Sequence, residues 1–152
     1  MNSENSELKD SSKLAWSLAL GGAIPFATLA LAMFFLGKEH GLFTVIFDAF
    51  KAWSAIILSF VAGARWGLAI AQNPIDKNAL LISVVPAIVA WLAQFLDDPQ
   101  AVLVLLVAYC AQGAWDSFGA NAKKLPQWFG TLRIRMTFLI AAIHILVFLA
   151  LW

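Results

Sequence analysis

Residues 53–71, WSAIILSFVAGARWGLAIA, are the stretch on which the fold of this chain depends. At ~1.5 Å rise per residue, an apolar helix of this length crosses the hydrocarbon core of a bilayer, which is about 30 Å thick. Arg65 lies about two-thirds of the way along the stretch. A charge at such a depth costs roughly 2.5–3.5 kcal/mol on insertion scales. Arg65 is therefore expected to face protein or water rather than lipid.

The same stretch carries a small residue at every fourth position. These residues are Ala55, Ser59, Gly63, Gly67 and Ala71. Small side chains let another helix backbone approach closely, and at about 100° per residue they lie on the face opposite Arg65. The stretch is thus predicted to be the central helix of a bundle, with a tight small-residue seam on one side and the charge on the other. The seam either packs within the chain or contacts another membrane helix.

The composition of the whole chain indicates an integral membrane protein. Of its 152 residues, 62% are hydrophobic and 12% are charged, whereas soluble domains carry about 25% charged residues. The net charge of +1 gives no argument for nucleic-acid binding. The single cysteine, Cys110, cannot form an intrachain disulfide and is expected to be a small buried apolar residue.

Five hydrophobic segments predict an all-α bundle of five transmembrane helices, a single domain over residues 14–152. The expected helix bounds are 14–36, 52–71, 79–96, 101–118 and 128–152. Apolar and polar residues fall on opposite faces of 42–51, which predicts a short interfacial amphipathic helix, or else a surface extension of the second helix, with Asp48 and Lys51 in water. Residues 1–13 are polar and of mixed charge, which predicts a disordered cytoplasmic tail.

The basic residues are distributed unevenly between the two sides of this bundle. The side with the N-terminus and the second and fourth loops carries Lys9, Lys13, Lys77, Lys123 and Lys124, with Arg133 and Arg135 at the start of helix five. The opposite side carries only Lys38 and Lys51. The positive-inside rule therefore predicts a cytoplasmic N-terminus and a C-terminus outside.

Polar side chains on three of the helices are expected to form one polar interior. The set comprises Arg65 of helix two, Tyr109, Gln112 and Asp116 of helix four, and Arg133, Thr137 and His144 of helix five. Spacings of three, four and seven residues place each group on one helix face. Asp116 is predicted to pair with Arg65 or with Arg133. The cluster is either a structural ion pair or a binding site in which an arginine recognises a small anionic or amphiphilic ligand.

The sequence lacks the signatures of common enzymes and cofactor proteins. No metal is expected, because the His, Cys and carboxylate residues do not have the spacing of a metal site. No cofactor is expected either, since a haem with two axial histidines would need a second one at the depth of His144, and His40 lies in a loop. Phosphate-binding glycine loops and nucleophile elbows are also missing.

An enzymatic role stays open but has no support in these residues, and the observations favour two non-enzymatic functions. The first is a scaffold or assembly factor of a membrane complex, which the long small-residue seam favours. The alternative is a binding or transport protein for a small amphiphilic or anionic ligand at the polar cluster. The expected partners are the lipid bilayer and either another membrane protein or a second copy of the chain.

Several segments resemble one known family. Ile57–Phe60 running into Gly63–Ala69 is similar to the hallmark of domain of unknown function 3429, and similar positions recur at Gly22–Phe26, at Ser83–Pro86 and from Leu132 to Thr137. Members are small membrane proteins of bacteria, with relatives in the mitochondrial inner membrane of animals. The resemblance implies five helices and a bacterial inner-membrane location, and it carries no established activity. A likeness to tryptophan-rich sensory proteins extends only to size, helix number and tryptophan content, because their Trp-Pro-Pro loop is missing.

Overall fold

The computed structural model describes the backbone of residues 2–121 and 125–151, and the side chains of residues 10–119 and 125–151. The described backbone contains five α-helices, one turn of 3-10 helix and no β-strand. The helices are α1 at Asn2–Leu36, α2 at Phe43–Ala71, α3 at Lys77–Leu92, the 3-10 turn at Ala93–Phe95, α4 at Asp98–Asn121 and α5 at Gln127–Ala150. Five helical stretches are long and apolar enough to cross a membrane, the third of them made of α3 together with the 3-10 turn, which confirms the predicted all-α transmembrane fold.

Two predicted boundaries differ from the structure. Helix α1 begins at Asn2, so residues 2–13 are helical where a disordered tail was predicted. Helix α2 begins at Phe43, so the predicted separate interfacial helix is instead the first part of α2, the alternative that the sequence also allowed. Neither junction contains glycine or proline, and extending an existing helix is easier than nucleating a new one.

The first part of α2 buries a lysine that was expected in water. Lys51 is 8% exposed, and its Nζ lies 3.2 Å from Oδ1 of Asp48 and 3.9 Å from Oδ1 of Asp98. The Nζ atom also lies 5.0 Å from the ring centre of Phe47. The expectation of a solvated Lys51 is wrong because this face of α2 packs against the start of α4, whose Asp98 supplies a counter-charge.

The five helices are not equally close to one another. Helix α4 packs most closely against α5, and α2 packs most closely against α3. Helix α1 contacts both α2 and α5, whereas α3 and α4 touch each other only lightly. One end of the bundle, which we call the amino end, holds the start of α1, the end of α2, the start of α3, the end of α4 and the start of α5.

The outer surface of the bundle is apolar. Large side chains such as Phe34, Phe60 and Phe138 are more than 70% exposed, which suits contact with lipid chains and not with water. Cys110 also lies on the exposed surface, so its predicted burial is wrong. In a membrane protein an apolar side chain avoids water without entering the protein core, because the lipid surrounds it.

Candidate functional site

Asp116 of α4 lies between two arginines that come from two other helices. Its Oδ1 atom is 2.8 Å from Nε of Arg65 on α2, and its Oδ2 atom is 2.7 Å from Nε of Arg133 on α5. The three residues are 1%, 5% and 8% exposed, respectively. The sequence left open which arginine pairs with Asp116, and in the structure both do. We call these three side chains the charge centre.

Arg65 is held in place by further contacts with α4. Its Nη2 donates a hydrogen bond to the backbone carbonyl of Trp115, and its Cζ lies 4.6 Å from the centre of the Trp115 ring. Gly119 leaves room for the guanidinium, since a Cβ atom at that position would lie only 2.7 Å from Arg65 Cζ. The ion pair, the stacked ring and the carbonyl together fix the orientation of the guanidinium plane.

The charge centre contains more positive than negative charge. Two guanidinium groups share one carboxylate, and the other side-chain contact of that carboxylate is neutral, from Gln112 Nε2 to Oδ1 at 3.3 Å. An uncompensated charge in a low-dielectric interior is costly. Among the described residues, the three side chains of the charge centre therefore carry a net positive charge.

Three polar atoms around the charge centre are buried without a hydrogen-bond partner among the described residues. They are Gln112 Oε1, Arg133 Nη2 and Thr137 Oγ1. Leaving such a group unpaired costs roughly 1–3 kcal/mol. These three atoms can therefore accept or donate further hydrogen bonds.

Tyr109 and His144, which were predicted in the same interior, belong to a second hydrogen-bonded group with Ser54. The Tyr109 hydroxyl donates to the Ser54 carbonyl at 2.8 Å, and Ser54 Oγ lies 2.9 Å from His144 Nε2. His144 Nδ1 lies 2.9 Å from the Ile140 carbonyl. Because a carbonyl only accepts, Nδ1 carries a proton, and Nε2 of the neutral ring accepts from the Ser54 hydroxyl. Both ring nitrogens of His144 are thus used within the protein.

Sequence reasoning did not select Ser54, Trp115 or Gly119 for the site. Ser54 precedes Arg65 by about three helical turns, so the helical period places both on one face and could have identified it. Trp115 acts through its backbone carbonyl and its ring, and Gly119 acts through its missing side chain. Those two roles depend on how α2 and α4 pack, which no spacing within one helix reveals.

A pocket of about 410 Å³ lies beside the charge centre, between the end of α2, the start of α3 and the end of α4. Its lining includes Arg65 and Trp115. Polar residues close to the connection between α2 and α3 also line it, namely Gln72, Asp76 and Asn78. Asp76 Oδ1 accepts a hydrogen bond from the Ala79 backbone at 3.0 Å and so caps α3. The guanidinium of Arg65 thus lines a pocket that also contains the carboxylate of Asp76. We call it the polar pocket for these groups, although apolar residues such as Leu68 and Phe118 line it too.

An apolar groove of about 510 Å³ continues from this pocket along α3 and α4. Its lining is aliphatic and aromatic apart from Gln112. Ile82 and Trp115 line both the pocket and the groove. The polar pocket and the apolar groove are thus adjacent parts of one surface depression.

The predicted small-residue seam of α2 is only partly packed. Ala55 and Ser59 are half-buried, whereas Gly63, Gly67 and Ala71 are exposed. A Cβ atom at Gly63 or Gly67 would meet no described atom within 4 Å. A tight seam within the chain is therefore wrong at these two glycines, because no described helix of the chain covers them. Contact with another membrane helix stays a prediction.

No group of three His, Cys, Asp or Glu residues that could hold a metal ion occurs among the residues described. The candidate site is thus defined by an arginine and a carboxylate rather than by metal ligands. These features define a class, the α-helical multi-pass membrane proteins with a buried charge centre.

Comparison with known proteins gives the family within this class. The chain belongs to the family described as Protein of unknown function (DUF3429), whose model matches residues 11–149, and the resemblance seen in the sequence is thereby confirmed. It is 37% identical over 133 residues to Transmembrane protein 69 of Xenopus tropicalis, an alignment that covers 86% of this chain and 51% of the relative. The chain therefore spans about half the length of that relative. No solved structure matches the chain.

Proposed function

We propose that this protein binds a small anionic ligand at the pocket beside Arg65. The observation that carries the proposal is a buried guanidinium, fixed by Asp116 and Trp115, that lines a pocket of about 410 Å³. The planar guanidinium matches the geometry of a carboxylate or phosphate. Because its orientation is already fixed, little side-chain entropy is lost when a ligand binds.

The charge balance supports an anionic ligand over a neutral or cationic one. Arg65 and Arg133 share the carboxylate of Asp116, so these three groups carry a net positive charge that attracts a negative group, whereas the Asp76 carboxylate in the pocket lining opposes it. In the low-dielectric interior this attraction is stronger than it would be in water.

We further propose a bacterial inner-membrane location with the amino end of the bundle facing the cytoplasm. The support is the excess of lysine and arginine in the segments at that end over those at the other end. The pocket, whose lining includes Gln72 and Asn78 at the connection between α2 and α3, then opens near the cytoplasmic surface.

Native mass spectrometry of the gently extracted protein tests the proposed function. Ala79→Phe places a ring in the pocket without changing the charge centre, whereas Ala64→Phe adds the same ring on the exposed surface of α2 outside the pocket. We expect the wild type and Ala64→Phe to retain a stoichiometric anionic small molecule that Ala79→Phe loses. A bare wild-type chain, or equal retention by all three proteins, would contradict the proposal.

A second candidate function is that of a scaffold or assembly factor of a membrane complex. The observation that favours it is the open surface at Gly63 and Gly67, where no described part of the chain lies within 4 Å of a Cβ position. Glycines spaced by four residues allow close approach of a second transmembrane helix. The partner is expected to be a transmembrane helix of another protein or of a second copy.

Photo-crosslinking from Ala64, next to this surface, tests the second candidate. Gly67→Leu is expected to abolish a crosslinked product while leaving the melting temperature unchanged, because a Cβ atom at this position meets no described atom within 4 Å. Gly41→Leu, a substitution in an exposed loop, serves as the control. An unchanged crosslink in Gly67→Leu, or a misfolded variant, would count against assembly through this surface.

A further inference from the structure

We propose that the ligand is a membrane lipid with an acidic headgroup, which enters sideways from the bilayer and places its acyl chain in the groove between α3 and α4. This inference rests on the proposed function and adds to it the class of ligand and its route of entry. In this proposal one molecule fills both cavities: its acyl chain occupies the apolar groove, and its carboxylate or phosphate contacts Arg65.

The continuity of the two cavities is the first support. Ile82 of α3 and Trp115 of α4 line both of them, so the two cavities are direct neighbours and a ligand that spans them passes these two side chains. Trp115 also stacks on the Arg65 guanidinium with 4.6 Å between its ring centre and Cζ. The boundary between the polar and apolar parts is therefore an indole ring, which suits the junction between a headgroup and a chain.

The order of the two cavities across the membrane is the second support. The polar pocket includes Asn78, close to the start of α3, whereas the groove extends along α3 to Val89. From Ile82 to Val89 this corresponds to roughly 10 Å along the helix axis, away from the amino end. Helix α4 runs in the opposite direction and gives the same order, with Gly119 in the pocket and Leu103 in the groove. A lipid of one leaflet has the same order, with its headgroup outermost.

The groove is open toward the surrounding lipid. Val85 on α3 and Val107 on α4 are 51% and 59% exposed, and both line it. Helices α3 and α4 pack lightly against each other, whereas α4 and α5 pack closely. A lipid can therefore enter from the side without separation of the tightly packed helices.

The headgroup, not the chain, must provide the selectivity. A chain gains little hydrophobic free energy on moving from the bilayer into the groove, because both surroundings are apolar. The net positive charge of Arg65, Arg133 and Asp116 and the fixed Arg65 guanidinium favour an acidic headgroup, against the opposing carboxylate of Asp76 in the pocket lining. We therefore expect the protein to select an acidic lipid from a membrane in which zwitterionic lipids are more abundant.

Two probes that share a phosphate monoester distinguish a lipid from a free anion. The full chain is placed in nanodiscs of phosphatidylcholine with a small fraction of dioleoyl phosphatidic acid, and bound lipid is counted by native mass spectrometry, with and without soluble glycerol 3-phosphate. Ala111→Trp fills the groove, and Ala114→Trp places the same ring on the exposed surface of α4 outside it. Ala79→Phe blocks the polar pocket.

The lipid inference predicts that wild type and Ala114→Trp select phosphatidic acid about tenfold over phosphatidylcholine. It also predicts that Ala111→Trp loses the bound phosphatidic acid and that glycerol 3-phosphate does not displace it from the wild type. Glycerol 3-phosphate binding that Ala79→Phe abolishes and Ala111→Trp leaves unchanged would overturn the lipid inference while supporting the proposed anion site. Absence of bound phosphatidic acid from the wild type would also overturn the lipid inference, and binding of either probe that Ala79→Phe leaves unchanged would overturn both.

Discussion

The glycines of α4 and the exposed glycines of α2 have opposite surroundings. A Cβ atom at Gly113 would lie 2.8 Å from Cγ2 of Thr137 on α5, and one at Gly119 would collide with the Arg65 guanidinium. At Gly63 and Gly67 the same atom would meet nothing within 4 Å among the described residues. The regularly spaced glycines of α2, which have the spacing of a helix-packing motif, are thus the ones left uncovered within the chain.

This contrast shows where the chain requires glycine and where it merely contains it. In α4 the missing side chain brings α5 close and makes room for the charge of α2, so the fold depends on it. In α2 the glycines leave an accessible surface that the described part of the chain does not use. Substitutions of the α4 glycines should therefore destabilise the protein more than substitutions of the α2 glycines, and substitutions in the charge centre should have the largest effects.

Asp116→Asn should produce the greatest loss of stability. It leaves Arg65 and Arg133 without their shared carboxylate in a buried site, and removing one partner of a buried ion pair costs roughly 3–5 kcal/mol. Arg65→Gln should cost less, because it leaves one arginine and one carboxylate paired. Thermal unfolding in detergent measures both variants. Wild-type melting of Asp116→Asn, or a lower melting temperature for Arg65→Gln than for Asp116→Asn, would contradict the account of the charge centre.

Gly113→Ala should have an intermediate effect that Gly67→Ala does not share. The added methyl group collides with Thr137 in the first case, and overpacking of this kind costs ~1–3 kcal/mol. In the second case it meets open space, and alanine favours the helix by roughly 0.5–1 kcal/mol. The free energy of unfolding of the two variants, measured side by side, checks the comparison. Equal destabilisation by both substitutions would show that the α2 glycines are packed after all.

Arg135→Gln should have the smallest effect, although Arg135 lies only two residues from Arg133. Its side chain is exposed and its Cζ lies 5.6 Å from the centre of the Trp16 ring, a contact of about 0.5–1 kcal/mol at an exposed site. Arg133→Gln removes a direct contact to the buried Asp116 and should cost more. Unfolding measurements on this pair test whether burial, rather than charge alone, decides the cost. A larger loss of stability for Arg135→Gln than for Arg133→Gln would contradict the conclusion that burial decides the cost.

The transmembrane helices could be predicted from the sequence because the bilayer imposes strong constraints. A backbone that crosses lipid must satisfy its own hydrogen bonds, so long apolar segments become helices. The constraint weakens outside the hydrocarbon, and there the predicted disordered tail was wrong over residues 2–13, and the start of α2 stayed open between two alternatives. The burial of Lys51 was missed because its partner Asp98 comes from a distant part of the chain.

The sequence predicted which charged residues meet in the candidate site, but not how they are arranged there. Helical periodicity and depth brought Arg65, Asp116 and Arg133 to one level, and the structure joins all three. The sequence did not show that one carboxylate serves both arginines, because this depends on the relative rotation of three helices. It also gave no sign of the pocket, which lies between the end of α2, the start of α3 and the end of α4 and depends on how these three helices pack.

The most direct test of the central claim is the affinity of Arg65→Gln for the phosphate compound that the wild type binds, whether phosphatidic acid or glycerol 3-phosphate. Arg135→Gln, which removes the same charge outside the pocket, is the matched control. The account predicts that Arg65→Gln folds, because Asp116 keeps its pair with Arg133, and that it binds about tenfold more weakly, whereas Arg135→Gln binds as the wild type does. Unchanged affinity in a folded Arg65→Gln protein would contradict the claim that this arginine recognises an anion.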